Sequence, residues 1–327
     1  MSKYIFNIRQ FDSVLNATTS NATGNDLSPE IKEYYSDYLI DLAEAELVHD
    51  QFGQNRPIPQ GKGKTIEFRK FTPLAKITNA LVEGVTPDGQ AIDSSALEAT
   101  VAQYGGYVII TDMLELTAID DVKTEATKLI GSQAGRSLDT VTREVLNGGT
   151  NVQYHEGERA NRAAITADDT LTVKAIQAAV RTLKRQNAKK IDGSYVAIIH
   201  PDISYDLMND PAWVDWQKYT TPEKMYEGEI GRIAGVRFVE TTEAKIFEGA
   251  GASGMNIYST LIIAENAYGK TDIHGGGLQL IVKPKGSAGT ADPLDQRSTI
   301  GWKATKTAER LVEDYMVRIE TACTYTA

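Results

Sequence analysis

The chain has 327 residues, 41% apolar and 24% charged, with 34 Lys and Arg against 44 Asp and Glu for a formal charge of −10. At ~150 residues per domain this length fits two domains or one elaborate one, and no apolar run reaches the ~18 residues that a bilayer crossing needs. The acidic balance argues against nucleic acid held on a broad basic surface, and the single cysteine, Cys323, excludes an internal disulfide and a cysteine metal cluster.

The opening "MSKYIFNIRQFDSV" lacks the apolar core and small-residue cleavage site of a secretory signal, so the expected location is the cytosol of the cell that makes the chain. Residues 1–27 are rich in Asn, Ser and Thr and cannot bury enough apolar surface to fold alone, which reads as an arm. Ser28 as N-cap and Pro29 at the first helical position then open a helix whose stripe of Tyr34, Tyr38 and Leu42 has the spacing of one packed face.

In "PIPQGKGKTIEFRKF" (57–71), Gly63-Lys64-Thr65 ends like a phosphate-binding loop. Such a loop needs a glycine five positions before Gly63 and a helix after Thr65; position 58 is Ile58, and an apolar/polar alternation follows that reads as a strand. Over 56–103 two strand-like runs, "KTIEFRKF" and "ALEATVAQY", flank a stretch rich in turn residues. Paired antiparallel over ~12 to 15 residues, they would make a finger ~40 to 50 Å long. A two-stranded finger is marginal in water, so it should lie on another surface, most naturally a second copy of the chain.

Residues 118–149 carry apolar groups at steps of three and four (Ile119, Val122, Ala126, Leu129, Ile130, Ala134, Leu138, Val141, Val145 and Leu146), with Gly148-Gly149 as the stop. This predicts a helix far longer than the usual ~11 residues. Gly131 and Gly135 inside it each cost about 1 kcal/mol against Ala, which a close backbone approach or a bend would offset. From Thr166 helical and strand patterns alternate: "TVKAIQAAVRTLKRQNA", "YVAIIH", "ISYDLMND", "GVRFVET", "TLIIAE", "LQLIVK" and finally "STIGWKATKT" and "YMVRIETAC". This is the material of a compact domain of mixed helix and sheet.

Three constellations bear on chemistry. Gly249 to Gly254 spell G-x-G-x-x-G, but "MNIYSTLIIA" follows, so the motif lacks its strand-to-helix context and reads as a glycine loop between strands. His200-Pro201-Asp202 stands after a strand, where an α/β enzyme could place catalytic groups; a turn that caps the next helix, with Asp202 or Ser204 near the N-cap, explains the same residues. Arg181, Lys184, Arg185, Lys189 and Lys190 cluster at a helix end, where cations complement exposed carbonyls; phosphate contact is the competing reading. His49, His155 and His274 show no metal-ligand spacing, no nucleophile elbow is present, and neither catalytic residues, metal nor cofactor is expected.

Stretches from about Leu27 to Glu320, among them "LVHDQFGQNRPIP", "GKTIEFRKF", "ATKLIGSQAGRSLDTVTREVL", "RTLKRQNAKKIDGSY", "YEGEIGRIAGVRFVETTEAKIF" and "GWKATKTAERLVEDYMVRIE", resemble the major capsid proteins of tailed bacteriophages, in particular their N-four-type branch. The resemblance implies an α+β chain with the tailed-phage major capsid fold: an N-terminal arm and helix (1–54), an extended β-finger (55–105), a peripheral domain on a long spine helix (106–164 with 292–327) and an α/β axial domain (165–291). It implies a structural protein that is no enzyme, assembled as hexamers and pentamers into an icosahedral head around double-stranded DNA. Implied partners are the chain itself in many copies, portal and scaffolding proteins, a decoration protein as a further candidate, and DNA held non-specifically, with no membrane. The place is the virion capsid, assembled in the host cytoplasm.

Under that implication Gly61 and Gly63 let the finger turn, Lys62, Lys64, Arg69 and Lys70 meet carboxylates of an acidic neighbour, and Ile66, Phe68 and Phe71 supply an apolar face. No residues are assigned to covalent crosslinking, so closure is expected to be noncovalent. The alternatives are a nanocompartment shell around a cargo, and an α/β enzyme using His200 and Asp202.

Overall fold

The computed structural model describes residues 47–71, 74–78, 80, 83–84, 86, 89–118, 122–217, 232–273 and 276–325. The arm expected over 1–27, the helix opened by Ser28 and His274 lie outside the described residues. In chain order the strands are β1 (Gln54–Asn55), β2 (Thr65–Phe71), β3 (Ser94–Thr100), β4 (Ala102–Thr111), β5 (Val152–Tyr154), β6 (Tyr195–Ile199), β7 (Arg232–Ile233), β8 (Val236–Glu240), β9 (Ile246–Phe247), β10 (Ile257–Ile263), β11 (Tyr268–Thr271), β12 (Gln279–Lys283), β13 (Arg297–Arg310) and β14 (Met316–Thr321). The helices are α1 (Asp112–Thr117), α2 (Val122–Asn147), α3 (Val173–Arg185), α4 (Pro201–Met208) and α5 (Pro211–Gln217).

The long periodic run is α2, whose 26 residues reach about 39 Å at 1.5 Å per residue. Its ladder ends where Gly148 takes over, with the Gly148 N–H donating to the Glu144 carbonyl at 3.0 Å. Gly131 and Gly135 are buried within it. Of the expected apolar stripe, Ala126, Ile130, Ala134, Leu138 and Leu146 are buried, but Leu129 is 71% exposed. A 3.6-residue period selects a face; it does not say whether all of that face is covered.

Two compact units divide the chain. Among the described residues one takes in Gly105–Gly135 and Leu278–Lys303, the other 47–104, Arg136–Gly277 and 304–325. The larger unit is built on a sheet ordered β5-β14-β10-β6-β8-β7, with β9 also on β10. Its central strands are buried on both faces, which is why "YVAII" is a continuous apolar run and "IYSTLII" shows no apolar/polar alternation. Tyr195, Ala197, Ile199, Ile262, Val317 and Ile319 share one core with Ile176, Val180 and Leu183 of α3 and Ile203 and Leu207 of α4. The residues between them, Ile198, Leu261, Ile263 and Met316, point the other way and join Leu146 of α2. Helices therefore cover the sheet from both sides.

In the same unit β2 pairs antiparallel with β3 from Thr65↔Thr100 to Phe71↔Ser94. Of the expected finger, a two-stranded ribbon is present: its seven residue pairs give a ladder of about 24 Å, and part of the stretch between Phe71 and Ser94 lies outside the described residues. In the smaller unit β12 pairs with the first part of β13, from Gln279↔Lys303 to Lys283↔Thr299. Glycine lets β4 approach closely there, because a Cβ on Gly105 would lie 2.7 Å from the Trp302 carbonyl oxygen and one on Gly301 2.8 Å from that of Gly106. Trp302 is buried, and its indole N–H donates to Gln133 of α2 at 3.3 Å.

Candidate assembly and phosphate-contact surfaces

The ribbon starts from a turn that glycine makes possible. Gly61 (φ 79°) and Gly63 (φ 91°) stand in the left-handed region, and the Lys62 N–H donates to the Pro59 carbonyl at 3.2 Å. Lys62 and Lys64 are exposed on either side of Gly63. Ile66 is half-buried and Phe68 buried; two residues apart, they share one face with their cross-strand partners Ala99 and Leu97. Phe71 stands opposite Ser94, three positions from Phe68 and so off that two-residue period, and Lys70 stands opposite Ser95. Arg69 is exposed and pairs with Glu67 at 2.9 Å.

Phe68 spends its ring inside its own chain. A Cβ on Gly269 of β11 would come 2.8 Å from that ring and 3.4 Å from Leu311, so the missing side chain is the notch that receives Phe68. Beside it a recess of about 490 Å³ opens among Arg56, Arg69, Leu97, Arg310, Leu311 and Glu313.

The smaller unit holds a surface that the sequence reading missed. Within ten residues Tyr107 (71%), Val108 and Ile109 of β4 and Met113, Leu114 and Leu116 (77%) of α1 are exposed, as are Leu129, Ile281 and Leu294. The available signal was "YVII", a strand run without alternation, of which Ile110 alone is buried.

All five basic residues of the 181–190 cluster are exposed. Lys174, about two turns before them on α3, pairs with Glu156 and Glu158; among the described residues no ion pair engages Arg181, Lys184, Arg185, Lys189 or Lys190. Lys190 instead stands 5.8 Å over the Tyr195 ring.

At His200 the structure refines the capping reading. The N-cap is His200 itself: its Nδ1 accepts the Asp202 N–H at 3.2 Å, and Pro201 follows at N1. Asp202 Oδ2 is also 3.2 Å from that nitrogen, but an Nδ1 that accepts a backbone N–H carries no proton to donate. Oδ2 accepts instead from the Tyr258 hydroxyl at 3.1 Å, and burial, followed by this bond to Asp202, pushes the phenol up to about 12. The His200 Nδ1 is thus committed to capping the helix. The glycine loop at 249–254 likewise lies between strands β9 and β10, with Gly249 and Gly254 at positive φ.

The buried titratable groups of the larger unit serve its interior. The His49 N–H donates to Asp139 Oδ1 at 2.7 Å, with the His49 Nδ1 2.6 Å from Oδ2. Lys306 donates to Asp50 and to the Leu138 carbonyl, and Thr142 completes the Asp50 shell. Burial holds the Lys306 ammonium below the usual lysine value, against the opposing pull of Asp50. Among the described residues no group of three His, Cys, Asp or Glu could hold a metal ion, and no helix is long and apolar enough to cross a membrane.

A family model described as phage capsid protein matches residues 49–276. The chain resembles the capsid of cyanophage P-SCSP1u at 16% identity, with a TM-score of 0.65 over 85% of this chain and 88% of that one. It resembles the capsid of Ralstonia phage GP4 at 13% identity and the same TM-score of 0.65, over 98% of each chain. A virus-like particle from Pyrococcus furiosus is similar at 11% identity and a TM-score of 0.50, over 89% of this chain and 99% of that one. No curated protein sequence matches the chain.

Proposed function

The chain belongs to the phage capsid protein family, and we propose that it assembles with copies of itself, as hexamers and pentamers, into an icosahedral head around double-stranded DNA. Its fold is the tailed-phage major capsid fold, and its role is that of a structural capsid protein of the virion. The observation that carries the assembly reading is the apolar surface of β4 and α1. Six large apolar side chains exposed within ten residues exceed the scattered singles of a monomeric surface and mark a protein contact. The occupant we assign is a second copy, because a capsid subunit meets its own kind on most of its sides. Repeated heterologous contacts close into shells when the rotation permits, and many modest contacts multiply into a stable whole.

The ribbon divides its work in this proposal. Phe68 anchors it to its own subunit, while the exposed Lys62, Lys64 and Arg69, with Ile66, Lys70 and Phe71 along the strand, face a neighbour whose net charge is negative. The four-part division into arm (1–54), finger (55–105), peripheral domain (106–164 and 292–327) and axial domain (165–291) remains the working layout. Assembly in the host cytoplasm with portal and scaffolding proteins completes the proposal. Because the fold is also that of a virus-like particle, contents rather than fold separate a DNA-filled head from a shell around protein cargo.

The test is negative-stain electron microscopy with sedimentation on the purified chain and on the source particle, followed by nuclease digestion. Closed shells of uniform diameter that protect DNA are expected. A monodisperse monomer, even with scaffolding factors supplied, overturns the assembly reading, and shells that protect only protein convert it to the cargo reading.

A further inference from the structure

We propose that the solvent face of α3, together with the β7–β8 turn at Ala234-Gly235, is a binding site for the phosphate backbone of the nucleic acid inside the shell. The inference rests on the DNA-enclosing reading above and assigns the contact to particular residues. The helix is sharply two-faced: Val173, Ile176, Ala179, Val180 and Leu183 are buried on the sheet, which leaves Gln177, Arg181, Lys184 and Arg185 outward at steps of four, three and one. These four side chains and Ala234 wall a recess of about 490 Å³. Gly235 (φ 82°) completes the turn, and a Cβ there would stand 3.4 Å from the Lys190 ammonium, so a fourth cation borders the same turn.

Three features favour phosphate over the bland reading of a solvated helix end. Cations at a helix C-terminus complement its carbonyls only within the last turn, which covers Lys184 and Arg185 but neither Arg181 before them nor Lys189 and Lys190 after. None of the five is engaged by a carboxylate among the described residues, although the chain carries ten more acids than bases. Finally, between Leu129 and Tyr205 the chain exposes no large apolar side chain. A protein partner is held by aromatic and apolar anchors in a desolvated centre, whereas a phosphate backbone needs only cations and hydrogen-bond donors such as Gln177. The site reads charge and not sequence, since it presents no groove-reading element.

The experiment is fluorescence anisotropy of a short labelled DNA duplex with the full-length subunit across a salt series. It compares wild type, the triple variant R181Q/K184Q/R185Q and a charge-matched control, R56Q/K283Q/K303Q, whose residues are exposed and lie elsewhere. Each lost phosphate contact should flatten the log–log salt slope by about 0.9, so the triple variant should lose about 2.7 of slope. Between about 50 and about 200 mM salt, wild type should then lose about 40-fold more affinity than the triple variant, and the control should follow wild type. A triple variant that keeps the wild-type slope overturns the inference. Failure of the same variant to form shells would then assign the cations to carboxylates of a second copy; normal shells would return them to the reading of a solvated helix end. Nuclease-protected DNA in wild-type particles judges the underlying reading separately. Particles without it remove reading and inference together, and particles that hold it alongside an unchanged slope remove the inference alone.

Discussion

On β4 and α1 the chain leaves six large apolar side chains in water within ten residues, whereas on α3 it exposes cations and, for seventy-odd residues around them, no large apolar group. The two surfaces answer to different physics. Apolar area gains roughly 25 cal/mol per Å² when a matching surface excludes water, and that gain survives salt. Exposed cations gain little from one another's neighbourhood and act on a polyanion through counterion release, which salt abolishes. A shell subunit has to hold its neighbours under any ionic condition while gripping its contents loosely enough to let them go. Putting the apolar groups on one surface and the cations on another separates these two tasks.

The largest expected effect tests the apolar side of the contrast. Ile109→Asp with Leu116→Asp should abolish closed shells in sedimentation and microscopy while the subunit keeps its melting temperature within a few degrees. The buried Cys323 thiol, which burial pushes up to about 12, should stay unreactive toward alkylation, reporting that the larger unit is intact. Normal shells from this variant would remove the strip from the assembly surface. Next in size, Phe68→Ala empties the notch at Gly269 and should cost about 3 to 5 kcal/mol of subunit stability in a denaturant titration. Unchanged stability with lost shells would move Phe68 from anchor to interface.

The elements with a strong local period were legible. The 3–4 recurrence and the Gly148-Gly149 stop located α2, and alternation located β2 and β3. What stayed hidden depends on residues far apart in the chain. Phe68 is buried because Gly269, some two hundred positions later, has no side chain, and nothing near Phe68 announces that. Leu129 belongs to the apolar period of α2 yet is 71% exposed, since periodicity orients a face without covering it. The short helix α1 offers too few turns for a period to register, so the exposed strip escaped with it. For the basic cluster, the sequence located the charges, while only the structure showed Lys174 paired and, among the described residues, the other five without an ion pair.

A smaller perturbation keeps both surfaces and touches the interior alone. His200→Ala removes the acceptor that caps α4 and should cost about 1 kcal/mol, within the usual range for lost N-caps, with shells and salt slope unchanged. A shift in either would mean that the larger unit transmits its interior to a surface.

The smallest effect is one of slope with pH, and it separates interior from surface charge. Asp169 is buried, and burial alone would raise its carboxyl; Arg159 at 2.8 and 2.9 Å and the Thr166 N–H at 2.7 Å outweigh this and hold it below its usual value. In acid the unfolded chain therefore binds this proton more readily than the native one, and stability rises with pH across that window. The contribution is fully present above the unfolded aspartate value of ~3.9 and disappears as pH falls through the lowered native value. Arg159→Gln should lower the melting temperature at neutral pH and flatten its rise along the acid limb, the two proteins converging at the lowest pH. The six apolar side chains carry no charge in acid, so the assembly surface keeps its driving force there. If acid breaks shells, it should do so at the pH where the subunit itself unfolds. Shells that open at higher pH than the subunit unfolds would place titrating carboxylates in the contact, such as those the exposed lysines of the ribbon are proposed to meet.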